Sequence, residues 1–337
     1  MLTIRHTLPE RFLEVDPRAL HELLDGPTLI HLPGRREPPL FVSTLLHGNE
    51  VTGMLAVQEL LRRHLEGGLP RALSLFIGNV AAARHGLRHL PGQPDFNRIW
   101  KGGDGPEERM AQQVLEEMGR VGPFASVDVH NNTGLNPHYG CVNRLDPRFL
   151  HLAALFGRTA VYFLTPDTVL SRAFAELCPS VTLECGHSRE RHGVEHALEY
   201  LEACLHLREI PAQPVAEGDL DLFHTVARVE VSPEVHFGFG DCDLDLCFAT
   251  DVDRFNFREL PAGTVLAARR GGDGTGLRVT SEEGGEVGER YFQVAAGAVR
   301  TRRPVMPSML TLDARVIRQD CLCYLMERMD LRQALSA

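Results

Sequence analysis

No run in this sequence approaches the roughly 20 consecutive apolar residues that a membrane-spanning helix needs. The first residues, MLTIRHTLPERFLEVD, have no basic stretch followed by an apolar one, so no signal peptide is expected. Positive charge is scarce: 35 Lys and Arg stand against 45 Asp and Glu, a formal net charge of −10. Nucleic acid and anionic membranes both need a positive field, so neither is expected as a partner, and only local basic pockets are left open. The eight cysteines are scattered. Cys321 and Cys323 are the closest pair, and no CxxC pairs recur at zinc-ribbon spacing. Reduced thiols in a cytoplasmic protein, mostly filling the core, are the expectation. Internal repeats and low-complexity segments are also missing.

What is present suffices for a sizeable core: 337 residues, 43% of them hydrophobic, a length that suggests two domains. In the first part, strand-like runs alternate with helical patterns. Strands are expected at Thr28–Leu32, 40–46, Ala72–Val80, Ser126–His130, Thr159–Leu164 and Ser180–Cys185. Helices are expected at Pro17–Leu24, Val51–Leu65, from Pro106 onward, Asp167–Cys178 and Glu190–Leu207. The stretch Ala81–Gly105 reads as a long loop, a length that is usually functional. Such alternation points to an α/β domain with a largely parallel sheet, spanning 1–210. After PAQP the texture changes. Short β-like runs (Phe223–Val231, Thr264–Arg269, Leu277–Thr280, Tyr291–Val294) are broken by Gly-rich turns, so 211–337 reads as a smaller β-rich domain.

The chemistry is concentrated where strands end. FVSTLLHGNE runs out of a strand into a turn that offers His47 and Glu50, three residues apart and able to reach one divalent ion. His130 ends another strand, 80 residues after Glu50. Two imidazoles and a carboxylate, with a position left open, are the donor set of a catalytic zinc, and the absence of sulfur argues against a closed structural site. Asp128, two residues before His130, is a candidate outer partner. An H-x-x-E pair alone says little; the joint arrangement of strand-His-Gly-Asn-Glu-helix and strand-Asp-x-His-Asn carries the reading. His85, His89, His138, His187, His192 and His196 read as solvated or loop residues.

Glu184 ends the buried strand in TLEC. A carboxylate there either pairs with a cation or moves a proton from water to a leaving amine. In the 81–105 loop, Arg98 with Asn97 beside it suits a carboxylate, and Arg88 suits a developing oxyanion. Arg172 is a second carboxylate-binding candidate. Guanidinium groups beside a metal in an acidic protein point to a small anionic substrate.

HGNE, FNRIW, DVHNNTG and LECG, in this order, resemble the succinylglutamate desuccinylase/aspartoacylase family. FRELPAG at 257–263 and LTLDARVIR at 310–318 extend the likeness toward the C-terminus, and DVHNNTG leans toward the aspartoacylase version. The resemblance implies a zinc-carboxypeptidase-like mixed sheet flanked by helices, with a smaller C-terminal β-rich domain. It implies one Zn2+ on His47, Glu50 and His130, and Glu184 as general acid/base. Asn97, Arg98 and Arg172 would bind substrate carboxylates and Arg88 would steady the oxyanion, the last two with small shifts of spacing. The family's C-terminal-domain tyrosine has no counterpart at its expected position; Tyr291 is nearby. The implied activity is hydrolysis of the amide bond of an N-acyl amino acid. A metallocarboxypeptidase acting on short peptides and a non-catalytic metal-binding relative remain alternatives at this point. A homo-oligomer is compatible with all of them.

Overall fold

The structure, a computed structural model, describes residues 1–216, 218–272 and 274–331. The chain forms two compact units. Met1–Asn131 and His138–Leu222 belong to the first, and Asn132–Pro137 with Phe223–Met329 to the second.

The first unit carries β1 (Thr3–Arg5), β2 (Thr28–Leu32), β3 (Leu40–Thr44), β4 (Leu73–Ile77), β5 (Ala125–His130), β6 (Tyr139–Val142), β7 (Thr159–Tyr162) and β8 (Ser180–Glu184). They pair in the order β1-β2-β4-β3-β5-β8-β6-β7. The sheet is mixed: β2/β4 and β8/β6 are antiparallel, while β4, β3, β5 and β8 run parallel. Every residue of β3, β5 and β8 is buried. Burial on both faces accounts for their near-continuous apolar runs, as in parallel sheets generally. Because these three strands point the same way, their C-terminal ends open together, where α/β sheets place their sites.

The helices are α1 (Thr52–Arg63), α2 (Val80–His85), α3 (Pro106–Val121), α4 (Pro147–Phe156), α5 (Leu170–Phe174) and α6 (Arg191–His206). α3 follows its local signals: Pro106 opens it, Glu107 and Glu108 lie in its first turn, and Gly122 closes it at φ 71°. Its buried face, Met110, Ala111, Val114 and Met118, packs with Phe41, Phe76, Trp100 and Phe174. The Phe41 and Phe174 rings stack 4.1 Å apart.

Several boundaries differ from expectation. β3 stops at Thr44 because Leu45 turns to φ 56°. The loop after β4 begins as α2, a six-residue helix capped by Asn79, whose side chain accepts from the Ala82 N–H at 3.0 Å. Of the helix expected at Asp167–Cys178, only α5 forms. β6 and α4 were not anticipated. β6 has four residues, too few for a period to stand out, although Asp146-Pro147 at the head of α4 is a cap-and-start signal.

In the second unit, β9 (Asp221–Val231) pairs antiparallel with β13 (Leu277–Ser281), and β16 (Met306–Ser308) pairs antiparallel with β17 (Cys323–Met329). A separate sheet has the order β10-β11-β12-β15-β14, formed by β10 (Phe237–Phe239), β11 (Leu246–Phe248), β12 (Val265–Arg269), β14 (Phe292–Ala295) and β15 (Ala298–Thr301). Val229, Phe248, Val279, Val299 and Leu325 lie in the core of this unit. Tyr291 is buried in the same core. The expectation of uniformly reduced cysteines fails at one place: Cys242 and Cys247 are joined by a disulfide, their Cα atoms 5.8 Å apart. The other six cysteines are buried. Among the described residues no helix is long and apolar enough to cross a membrane.

Candidate metal centre

The turn between β3 and α1 is tight. Glu50 N–H donates to the His47 carbonyl at 3.1 Å, which puts the two side chains on one side. Gly48 between them lies against α2. A Cβ there would stand 2.2 Å from the Ala83 nitrogen, so only glycine fits. The Gly48 N–H donates to the Arg88 carbonyl at 3.1 Å. The ligand turn and the arginine-bearing loop are thus held by the same contact.

Glu50 sits between two imidazoles. His47 Nδ1 donates to its Oε1 and His130 Nδ1 to its Oε2, both at 2.8 Å, and the Asn131 N–H donates to Oε2 at 3.1 Å. His47, Glu50 and His130 are 3%, 6% and 4% exposed, so this carboxylate is desolvated. Burial alone would raise its pKa, but the His47 and His130 charges outweigh it and hold the carboxyl far below the usual range. Each ring is gripped on its far side too. His47 Nε2 donates to Asp95 Oδ1 at 2.9 Å, and His130 Nε2 to Asp128 Oδ2 at 2.8 Å. Burial pushes the His130 imidazole down, yet Asp128 and then Glu50 carry it well above its ordinary value.

This donor set fits a zinc ion. One ligand atom from each of His47, Glu50 and His130 lies within 4.8 Å of the others, and all three residues are buried. On binding an ion each Nδ1 would give up its proton, while the carboxylates on the two Nε2 atoms would hold the remaining proton there, the arrangement that metal-binding histidines use. Three protein ligands without sulfur leave a coordination position open.

Glu184 lies across from His130 in the parallel β5–β8 register, so both side chains leave the same face of the sheet. It is 7% exposed, and Tyr139 is its partner on the other side. Arg88 stands at the edge of the cluster. Its Nε donates to Asp95 Oδ2 at 2.9 Å, and one terminal nitrogen is 3.8 Å from Glu50 Oε1. Asn97 Nδ2 is 3.4 Å from His130 Nε2, and Asn97 Oδ1 accepts the Leu170 N–H at 3.0 Å, tying the start of α5 to this segment. Arg98 is half-buried and donates to the Asn97 carbonyl at 2.9 Å. Arg172, in α5, is also half-buried, and the carboxylates its charge acts on are Asp167 and Glu176. The structure therefore groups the triad, Glu184, Arg88 and Asn97 closely, with Arg98 adjoining; Arg172 is on α5, whose first residue bonds Asn97.

Two contributors escaped the sequence reading. Asp95 binds the His47 ring, the Arg88 guanidinium and the Asn97 N–H together. Burial would raise its carboxyl, but His47, Arg88 and Arg98 hold it well below its usual value. A carboxylate two residues before Asn97, in the same DFNRIW segment, was the available signal. Asn131 bonds Thr52 Oγ1 and the Gly186 carbonyl, both at 2.9 Å, and so links the start of α1 to the segment after Glu184. The histidines read as solvated also need correction: His138 and His196 are half-buried, and their Nδ1 atoms are 2.7 Å apart.

A family model for the succinylglutamate desuccinylase/aspartoacylase catalytic domain matches residues 37–207, just over half of the chain. The chain belongs to this family. The resemblance read from the motifs is thereby borne out, as is the mixed α/β fold that it implied. No functionally curated protein matches the chain by sequence. Solved structures of similar fold include a succinylglutamate desuccinylase from Chromobacterium violaceum (TM-score 0.59, 17% identity, covering 88% of this chain and 86% of that one). A succinylglutamate desuccinylase/aspartoacylase from Rhodobacter sphaeroides gives 0.60 at 15% identity, over 89% and 88%. Murine aminoacylase 3 gives 0.57 at 16% identity, over 87% and 97%. At these identities the structural likeness speaks to the fold alone. Family membership rests on the catalytic-domain match.

Proposed function

We propose that this member of the family is a zinc-dependent hydrolase that cleaves the amide bond of an N-acyl amino acid. One observation carries the reading: Glu50 is clasped between His47 and His130, with Glu184 directly across the sheet from His130. His47, Glu50 and His130 would hold the ion. When bound, zinc supplies Lewis acidity, polarising the amide carbonyl and making water acidic enough to attack at a pH of about 7. Glu184 takes the proton released by the attacking water and passes it to the leaving amine, which a carboxylate in a largely water-excluded place does well. Arg88, held in place by Asp95, steadies negative charge developing on the carbonyl oxygen. Asn97 and Arg98 bind a substrate carboxylate, and Arg172 a second one. The unit that holds all of these residues is the catalytic domain in this proposal, and the β-rich unit is accessory.

The names of the similar structures suggest succinylglutamate, acylated aspartate and other acylated amino acids as substrate classes. The test is a hydrolysis screen with N-succinylglutamate, N-acetylaspartate and N-acetylated aromatic amino acids, with and without chelator, alongside metal analysis. Turnover of one class that chelator abolishes is expected. Release of C-terminal residues from peptides at higher rates would make the chain a carboxypeptidase instead. Absence of bound zinc together with absence of turnover would leave a non-catalytic relative. A cytoplasmic location belongs to the same proposal. The Cys242–Cys247 bond weighs against it, because disulfides are rare there, and thiol counting on protein from native cells decides the point.

A further inference from the structure

A second group of histidines lies in the first unit, on other elements. His192 and His196 are one turn apart on α6, four residues in sequence and therefore on one helix face. His138 reaches them from the residue just before β6. Its Nδ1 is 2.7 Å from His196 Nδ1, and its ring lies parallel to that of His192, centroids 5.2 Å apart and planes within 6°. Phe156, at the end of α4, stacks on His196 at 4.3 Å and backs the group with an apolar wall. Glu190 Oε2 is 3.3 Å from His192 Nε2 at the rim.

We propose that His138, His196 and His192 form a second metal site, separate from His47, Glu50 and His130, that takes a late first-row divalent ion such as Cu2+, Ni2+ or Zn2+. The contact between His138 and His196 supplies the argument. Two imidazole nitrogens at hydrogen-bond distance share one proton, so one of them already presents a lone pair to the other. A metal entering the pair displaces the shared proton, which leaves to solvent or moves to the opposite ring nitrogen. Ligand nitrogens stand about 2.0–2.1 Å from the ion, hence about 2.9 Å apart at a right angle and about 3.3 Å at a tetrahedral one. From 2.7 Å the pair has to open by a few tenths of an ångström and, because the rings meet nitrogen to nitrogen with centroids 5.0 Å apart, both must also tilt toward the ion. The His192 side chain is 67% exposed and stacked on His138; a turn of that ring would bring in the third donor, and Glu190 offers a carboxylate. Imidazole donors with one carboxylate suit copper, nickel and zinc and do not suit calcium or magnesium. Gly186 packs against the opposite edge of the His138 ring, where a Cβ would stand 3.0 Å from Nε2.

The proposal does not depend on the hydrolase reading, and its test uses the metal alone. Full-length protein carrying no affinity tag is loaded with zinc, freed of excess and titrated with Cu2+. Uptake is followed by dialysis and by electron paramagnetic resonance for nitrogen couplings. One further Cu2+ per chain, with imidazole nitrogen couplings, is expected. His138→Asn with His196→Asn should weaken that uptake by more than about tenfold. Should the double variant fail to fold, His192→Ala on the exposed face supplies the test, and it should weaken uptake and remove one nitrogen coupling. The proposal is overturned if the native chain takes up no further Cu2+. It is equally overturned if uptake persists undiminished in the double variant or, where that cannot be made, in His192→Ala.

Discussion

The two histidine groups are built on opposite plans. His47 and His130 are each gripped between two carboxylates: Glu50 and Asp95 for the first, Glu50 and Asp128 for the second. His138 and His196 lie instead against each other, with His192 and Phe156 as further ring neighbours and Glu190 at the rim. Burial pushes an imidazole toward its neutral form in both places. At His130, Asp128 and Glu50 overcome that push and the pKa rises; at His138, other imidazoles reinforce it and the pKa falls. The partners, more than the burial, decide what a buried histidine becomes.

The largest effect should come from taking away the shared carboxylate of the first group. Glu50→Gln leaves two buried rings without their central counter-charge. Breaking a buried ion pair from one side costs about 3–5 kcal/mol, and metal binding should be lost with it. Thermal unfolding and metal analysis check this; a variant that keeps a full zinc complement would show that Glu50 is no ligand. Next in size is Glu184→Gln, which leaves all three ion-holding side chains unchanged. Hydrolysis should fall about 10²–10⁴-fold while zinc content stays at the native level. Unchanged turnover would remove Glu184 from the mechanism, and lost zinc would make its role structural.

Asp95→Asn probes the outer grip. Metal affinity should weaken by about 10–100-fold, because the His47 ring loses the partner that orients it. The change also takes one carboxylate away from Arg88, so a matching loss of activity at saturating zinc would separate the guanidinium's role from the metal's. Equal zinc affinity in variant and native protein would mean that the Asp95–His47 bond is incidental. The smallest effect is expected in the second group. His192→Ala on the exposed face of α6 should shift metal-free stability by less than about 0.5 kcal/mol, since surface changes seldom do more. A larger loss would mean that the stacked rings hold α6 in place and are not held in reserve for an ion.

The same contrast explains what the sequence could and could not disclose. His47, Glu50, His130 and Glu184 were readable because each stands at a strand end or in the turn that follows it, and strand ends in parallel sheets gather together. Asp95 was passed over because it lies inside a long loop whose path no periodicity describes. The His138–His196 contact depends on β6, four residues long, and on α4, which supplies Phe156; with neither element anticipated, three histidines looked like separate solvated side chains. The Cys242–Cys247 pairing was equally hidden, since a spacing of five residues becomes a bond only when the chain folds back between β10 and β11.

Gly48 has a consequence for anyone re-engineering this chain. Its close packing against α2 and its bond to the Arg88 carbonyl pin one side of the following loop, and the grip of Asp95 on His47 pins the other. Between these two rivets lie only His89 to Pro94, of which Pro91 and Gly92 are exposed. New sequence grafted there should reshape what the mouth of the site accepts while the ion-holding residues stay where they are.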